Sequence, residues 1–327
     1  MSADHIGNIK KWLNANRTVI IVITKIIIAA GLLIFVISFT NPEEVLSALR
    51  QGNLRLIFLS FVFLFINLYL QFWKWKITCD YILAERNNRK IIASLFYGLS
   101  GGAFTPARLG EYFGRAIAFR DKSILQVTIA TLLDKFFPLL VVAFLGSLSS
   151  ILFLHFYYNA EIYLTLGLFI VVFTLFYFSG LVLLSPKFWD NVLFSKLRSS
   201  ARIPSVVKNL KVLKNLSRTY VIRMSIISML FYFCFLLQFA ILVIAFTGNT
   251  NVLNYLWAGN LIMFAKTVIP PVSFGELGIR EGASVFFLTE MGEVASAAFN
   301  ASIFLFFINV LIPALFGIIL FFRKNHD

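Results

Sequence analysis

Cysteine, histidine and acidic side chains are all scarce in this sequence, and each shortage removes a class of function. Cys79 and Cys234 are the only cysteines among 327 residues. One sits beside a basic loop and the other inside an apolar run, so no disulfide framework is expected. His5, His155 and His326 lie too far apart to offer metal-site spacing. There is no phosphate loop of the G-x4-G-K-[ST] type, and the sequence calls for no cofactor. Charged residues make up 13% of the chain, about half the share usual in soluble domains. No stretch of mixed composition is long enough to build a soluble domain.

What the chain has in quantity is apolar surface: 59% of residues are hydrophobic and 38 are Phe. Its net charge of +14 is carried largely in short loops between apolar runs. That placement points to anionic lipid headgroups rather than nucleic acid as the partner.

A helix needs about 20 apolar residues to cross a hydrocarbon core of ~30 Å. Six stretches qualify, near 19–39, 55–73, 124–153, 162–184, 220–247 and 296–322. Lys10, Lys11 and Arg17 ahead of the first resemble a signal peptide, but no small-x-small cleavage site follows the run, so it reads as a retained span. Two more apolar regions, 91–104 and 253–270, are interrupted by Gly and Pro and lead into charged motifs.

Loop charge orients the chain. Residues 74–90 hold Lys74, Lys76, Arg86, Arg89 and Lys90, and residues 185–218 carry eight basic residues against the single acid Asp190. The turns at 154–161 and 248–252 have no Lys or Arg. With basic loops in the cytoplasm, both termini lie inside, as expected for a multi-pass protein of the cell (inner) membrane. Both flanks of 91–120 then share one face and both flanks of 253–295 the other, so each region enters and leaves by the same side. The expected fold is an all-α polytopic membrane protein with six full spans and two re-entrant or broken-helix hairpins. In the long basic loop, Val206, Leu210 and Leu213 oppose Lys208, Lys211 and Lys214, the pattern of an interfacial helix.

The two interrupted regions carry similar text. Pro106-Ala107-Arg108-Leu109-Gly110-Glu111-Tyr112-Phe113-Gly114-Arg115 and Pro271-Val272-Ser273-Phe274-Gly275-Glu276-Leu277-Gly278-Ile279-Arg280 both fit P-x3-G-E-x3-R, offset by 165 residues. The same shift carries the span at 55 onto 220 and that at 124 onto 289, near the last span. A single membrane domain, 1–327, made of two inverted halves, 19–153 and 162–322, is the expectation.

Proline and glycine at membrane depth break a helix and leave backbone N–H groups at a half-helix start, which attracts phosphate or carboxylate. If the residues after proline are helical, Glu111–Arg115 and Glu276–Arg280 are i, i+4 pairs. Each glutamate would hold its arginine poised until an anionic headgroup competes, and the guanidinium fork suits phosphate. Arg108 can alternatively snorkel at the inner interface. Asp134 and Lys135 lie about ten residues into an apolar span and must face the interior or pair. Lys266 precedes Pro270, and Glu281 reads either as a proton-binding carboxylate or as a partner for Lys266.

Thr105-Pro106-Ala107-Arg108-Leu109-Gly110-Glu111 and Gly275-Glu276-Leu277-Gly278-Ile279-Arg280-Glu281-Gly282 resemble the two signature motifs of the lysylphosphatidylglycerol synthase transmembrane-region family, also called flippase-like membrane proteins. The resemblance covers nearly the whole chain in span number and motif spacing. It implies that Arg108, Glu111, Arg115, Arg280 and Glu281 line a lipid-headgroup cavity. Where the family often has Glu-Arg, this chain has Asp134-Lys135, and where it usually has glycine, this chain has Glu276. The best-studied members carry a cytosolic aminoacyltransferase and are thought to move aminoacylated phospholipid between leaflets. Here the chain ends five residues after its last span, so that activity is not expected.

The leading expectation is a flippase-like protein translocating a lipid with an anionic, phosphate-containing headgroup, either a phospholipid or a polyprenyl-linked lipid. The alternatives are a membrane-embedded transferase acting on a lipid phosphate or lipid-linked sugar, with Glu111 or Glu281 as base, and an accessory subunit of a separately encoded lipid-modifying enzyme. The sequence leaves the oligomeric state open.

Overall fold

The computed structural model describes residues 50, 52–105, 108–184, 217–269 and 278–323. Gly52–Asp327 forms one compact unit; of the other, Met1–Gln51, only the exposed, helical Arg50 is described. The expected first span and the interfacial helix around Val206 lie outside the described residues.

Those residues form nine helices and no strand. The first, α1 (Leu54–Thr78), starts where the Asn53 side chain accepts from the N–H groups of Arg55 and Leu56, a standard way to satisfy orphan donors. It runs on through a π turn at Cys79–Leu83. Next come α2 (Asn88–Ala103), capped by Asn87, and the short α3 (Gly110–Ile117). The 35-residue α4 (Ile124–Tyr158) begins at a Ser123–Gln126 capping box and contains Pro138. After it, α5 (Ile162–Leu184) presents apolar side chains around its whole circumference, including Tyr163, Ile170, Phe173 and Leu175. The second set is α6 (Arg218–Thr247), α7 (Val252–Val268), α8 (Ile279–Glu290) and α9 (Ala295–Arg323), the last with a π turn at Phe307–Leu311.

Among the described residues five helices, α1, α4, α5, α6 and α9, are long and apolar enough to cross a membrane. They fall on five of the six expected stretches, and the protein is a polytopic helical membrane protein. The two interrupted regions are pairs of short helices, α2–α3 and α7–α8, with the members of each pair packed on one another.

Glycine sets the close approach in the first pair. A Cβ on Gly101 would run into the Gly110 carbonyl, one on Gly110 into the Gly101 carbonyl, and one on Gly114 into the Tyr97 carbonyl. Contacts 101–110 and 97–114 run in opposite directions along the chain, so α2 and α3 are antiparallel with backbones nearly touching. A core around Trp75, Ile91, Leu95, Phe119 and Val127 fixes this pair against α1 and α4.

The packing is reciprocal. Helix α1 packs on α6; α2 packs on the end of α9 while α7 packs on α4; α3 packs on α4 as α8 does on α9; and α1 meets α4 as α6 meets α9. Exchanging α1–α4 for α6–α9 returns the same set of contacts. Glycine marks two of the equivalent crossings: Gly146 on α4 faces the Phe264 ring of α7, and Gly317 on α9 faces the Phe96 carbonyl and Ser100 of α2. The bases of the two pairs are tied as well. Lys90 reaches Glu85 (3.4 Å) and Asp121 (3.7 Å) in the first. In the second, Tyr255 Oη and Asn249 Nδ2 donate to Glu293 (2.5 and 3.1 Å). The Asn87 backbone N–H, donating to Glu85, holds that carboxyl below the usual glutamate range.

Where α1, α6 and α9 meet, Asn67, Gln238 and Asn309 bond to each other. Asn67 Nδ2 donates to Gln238 Oε1 (2.8 Å) and Asn309 Oδ1 (3.2 Å), and Asn309 Nδ2 donates to Gln238 Oε1 (2.7 Å). Such amide contacts hold helices together where apolar packing gains nothing over lipid. Cys79 and Cys234 are buried free thiols.

Candidate functional site

The first motif folds into a cluster of ion pairs centred on two carboxylates. Glu111 and Arg115, four residues apart on α3, pair at 2.7 Å, as their spacing predicts. The other terminal nitrogen of Arg115 donates to Asp134 Oδ2 on α4 at 2.9 Å. Lys135, the next residue of α4, donates to Glu111 Oε2 at 2.6 Å, and Arg108 Nη2 lies 3.2 Å from the same oxygen. Asp134 and Lys135 therefore do pair, and they pair with the motif.

Sequence reasoning missed one member. The apolar run stops at residue 73, which places Lys74 in the basic loop by sequence. Instead α1 continues past it, since Trp75, Cys79 and Leu83 on the next turns keep packing into the core. Lys74 is buried and sits 3.2 Å from Asp134 Oδ1 while donating a hydrogen bond to the Asp134 carbonyl at 2.7 Å. The Arg115 guanidinium lies 4.2 Å from the centre of the Trp75 ring. Trp75 in turn donates through Nε1 to Ser94, which donates to the Arg115 carbonyl.

Glycines make room for these charges. The Arg115 side chain passes over Gly98, where any Cβ would collide with it, and Gly102 faces Glu111 and Arg108. Arg108 itself has φ +55°, a left-handed conformation uncommon for a residue with a Cβ. Its N–H bonds the Thr105 carbonyl (3.1 Å), and Thr105 Oγ1 accepts from Gly110 N–H (2.7 Å). A backbone held in this way at the tip of a helix pair aims one side chain, and such strain concentrates at functional sites.

Exposure divides the cluster. Side chains of Lys74, Glu111, Arg115 and Asp134 are at most 6% exposed, whereas Arg108 and Lys135 are 26% and 30% exposed. The inner quartet has two cations and two carboxylates and is formally neutral. Beyond it stand two cations, both directed at Glu111 Oε2 and both reaching the surface.

The second motif makes a smaller cluster. Arg280 donates to Glu281 Oε1 at 2.6 Å and to Ser302 Oγ at 3.2 Å, while Glu281 Oε2 accepts from the Gly278 N–H at 2.7 Å. Arg280 also lies 5.3 Å from the Phe306 ring centre, the counterpart of Arg115 over Trp75. Arg280 and Glu281 are both buried. Lys266, in the last turn of α7, is half-buried. Glu276, and with it the expected Glu276–Arg280 pair, lies outside the described residues. Among the described residues no group of three or more His, Cys, Asp or Glu side chains could hold a metal ion.

Fold and site together define a polytopic helical membrane protein with ionised side chains gathered at a pair of short broken helices. The chain belongs to the family described as the lysylphosphatidylglycerol synthase TM region, whose model matches residues 22–317. No curated protein and no solved structure matches it.

Proposed function

We propose that this protein carries a lipid with an anionic, phosphate-containing headgroup between the leaflets of the cell (inner) membrane, with both its termini on the cytoplasmic side. Its family comprises membrane proteins related to lipid modification or translocation. The observation that supports transport is the pair of partly exposed cations, Arg108 and Lys135, standing outside a neutral buried quartet. Ionised groups in a membrane are expensive and are retained where they meet a substrate. Arg108 offers phosphate a fork, and Lys135 a point charge.

Reciprocal packing of α1–α4 and α6–α9 supports two inverted halves, the architecture on which alternating access is built. A headgroup would reach the Arg108–Lys135 mouth from one face and the Arg280 cluster from the other while its chains stay in lipid. The transferase reading is weaker. Glu111 is engaged by three cations and Glu281 by Arg280, Ser302 and Gly278, which leaves neither placed to take a proton from substrate.

The test is leaflet exchange of labelled lipids in liposomes holding the purified chain. Wild type is expected to accelerate exchange of an anionic phospholipid over phosphatidylcholine. The Arg108→Gln, Lys135→Gln double variant should lower that rate by about tenfold, the worth of one charge-assisted hydrogen bond or more. Equal rates for wild type, double variant and empty liposomes would sink the proposal.

A further inference from the structure

An apolar cavity between the two sets of helices takes no part in the charged cluster. It measures about 360 Å³, within the range of sites that hold small ligands. Helix α4 lines it with Leu145, Ser149, Leu152 and Phe156, whose steps of four, three and four residues keep them on one face. Phe233 of α6 and Trp257 of α7 wall it from the other sides. Leu152, Phe156 and Phe233 are 37%, 65% and 44% exposed, so the cavity opens at the protein surface. Phe233 stands midway along α6 (Arg218–Thr247), a helix able to cross the membrane, so that opening faces hydrocarbon.

Shape and chemistry restrict the occupant. From Leu145 to Phe156 the helix advances about 16 Å, at 1.5 Å per residue. Dividing 360 Å³ by that length gives a mean cross-section of about 22 Å², roughly 5 Å across. A helix, about 10–12 Å wide with its side chains, does not fit, whereas a single hydrocarbon chain does. The hydrogen-bonding groups of the wall are turned on one another. Asn260 donates through Nδ2 to the Leu145 carbonyl (3.2 Å) and to Ser149 Oγ, and it accepts from Tyr232 Oη. Trp257 Nε1 donates to the Ser149 carbonyl (3.2 Å). Both Asn260 amide hydrogens and the indole N–H are thus spent on α4, and no charged residue lines the cavity to hold a headgroup.

The other set of helices closes the corresponding space. Gly317 faces α2 as Gly146 faces α7, and the residue before it, Phe316, sets its ring edge-on to Phe96 with 4.8 Å between centres. The residue before Gly146 is Leu145, and there the space stays open. A void forfeits dispersion contacts along its lining, and an apolar one does not recover them by taking in water.

We infer that this cavity seats one acyl chain of a membrane glycerolipid, held by its hydrocarbon and not by its headgroup. The inference rests on the chain spanning a membrane and is independent of the headgroup reading of the charged cluster.

The experiment uses the full chain in detergent micelles, with Trp257 and the wholly buried Trp75 as its only tryptophans. It is titrated with phosphatidylcholine and with phosphatidylglycerol whose acyl chains carry bromine, which quenches indole emission on contact. Trp257 emission is expected to fall along a saturating curve, equally for the two headgroups. Leu145→Phe, which brings to this cavity the residue type that fills its counterpart, should raise the half-quenching concentration by about tenfold. Leu152→Phe narrows the mouth from an exposed position and should act in the same direction, which keeps the test decisive if Leu145→Phe does not fold. Helical circular dichroism and a monodisperse elution profile identify the folded variants. The Arg108→Gln, Lys135→Gln double variant should be quenched as wild type is, so a failure of the headgroup reading leaves this result untouched.

Quenching that rises in proportion to lipid and ignores both substitutions overturns the inference, because Trp257 then meets only bulk hydrocarbon. Quenching by phosphatidylglycerol alone overturns recognition through the chain and assigns the site to the headgroup. A dimer that Leu152→Phe dissociates, with quenching unchanged, makes the cavity a contact between copies and removes the lipid from it.

Discussion

Asp134 shows how unequal the charged residues of one cluster are. It bridges Lys74 and Arg115 with its side chain 1% exposed. Removing one partner of a buried pair typically costs about 3–5 kcal/mol, because the other charges stay buried without compensation. Asp134→Asn should therefore lower the thermal unfolding midpoint in detergent sharply, and an unchanged midpoint would refute a structural role for the inner quartet. Lys135, 30% exposed, is a different case: its contact with Glu111 is discounted by solvent screening, and Lys135→Gln should cost under about 1 kcal/mol in the same measurement while still weakening lipid binding. The Glu111–Arg115 pair was legible from spacing alone, because a helix puts i and i+4 on one face. Lys74 was not legible, since hydropathy marks where apolar residues stop and not where a helix does.

At the scale of elements, α2 and α3 are held by absence of side chains. Gly101, Gly110 and Gly114 sit where a Cβ would strike backbone across the pair, which cannot swing aside as a flexible side chain can. Gly110→Val should force α2 and α3 apart, displace Glu111 and Arg115 together, and give a protein that elutes as aggregate in size-exclusion chromatography. Gly167→Val on α5 is the matched control, because nothing lies within 4 Å of its Cβ position; it should elute as wild type. The sequence announced a broken helix here through its Gly and Pro, but not that the glycines serve the crossing. Contact across a pair has no period along the chain, so it was invisible until the two helices were laid together.

For the whole molecule, two short motifs and the order of spans lead the sequence reading to expect a repeat, and reciprocal packing is the pattern such a repeat would produce. Lengths and glycine positions do not follow one offset: Gly146 and Gly317 stand 171 residues apart, against 165 for the motifs. If the two sets are a repeat, connections of different length would explain why a single shift of the sequence against itself aligns only part of them. The topology has a direct test. Asp121, in the exposed α3–α4 connection, and Asn249, in the exposed α6–α7 turn, should lie on opposite sides of the membrane. Single cysteines there, in a background with Cys79 and Cys234 replaced by Ser and Ala, should react with a membrane-impermeant maleimide from opposite faces of sealed vesicles. Labelling of both from one face would reject the inverted arrangement.

Trp75 is wholly buried, with a guanidinium 4.2 Å from its ring centre and its indole N–H on Ser94. A cation over an indole shifts its excited-state energy, and Arg115 is joined through Glu111 to Arg108 and Lys135, so the fluorophore lies one ion pair away from the proposed headgroup mouth. In a variant keeping Trp75 as the sole tryptophan, occupancy of the mouth would register as a change in emission wavelength, without label or membrane gradient. That turns the stacked pair from a packing detail into a gauge by which the proposed arrival of a headgroup can be timed.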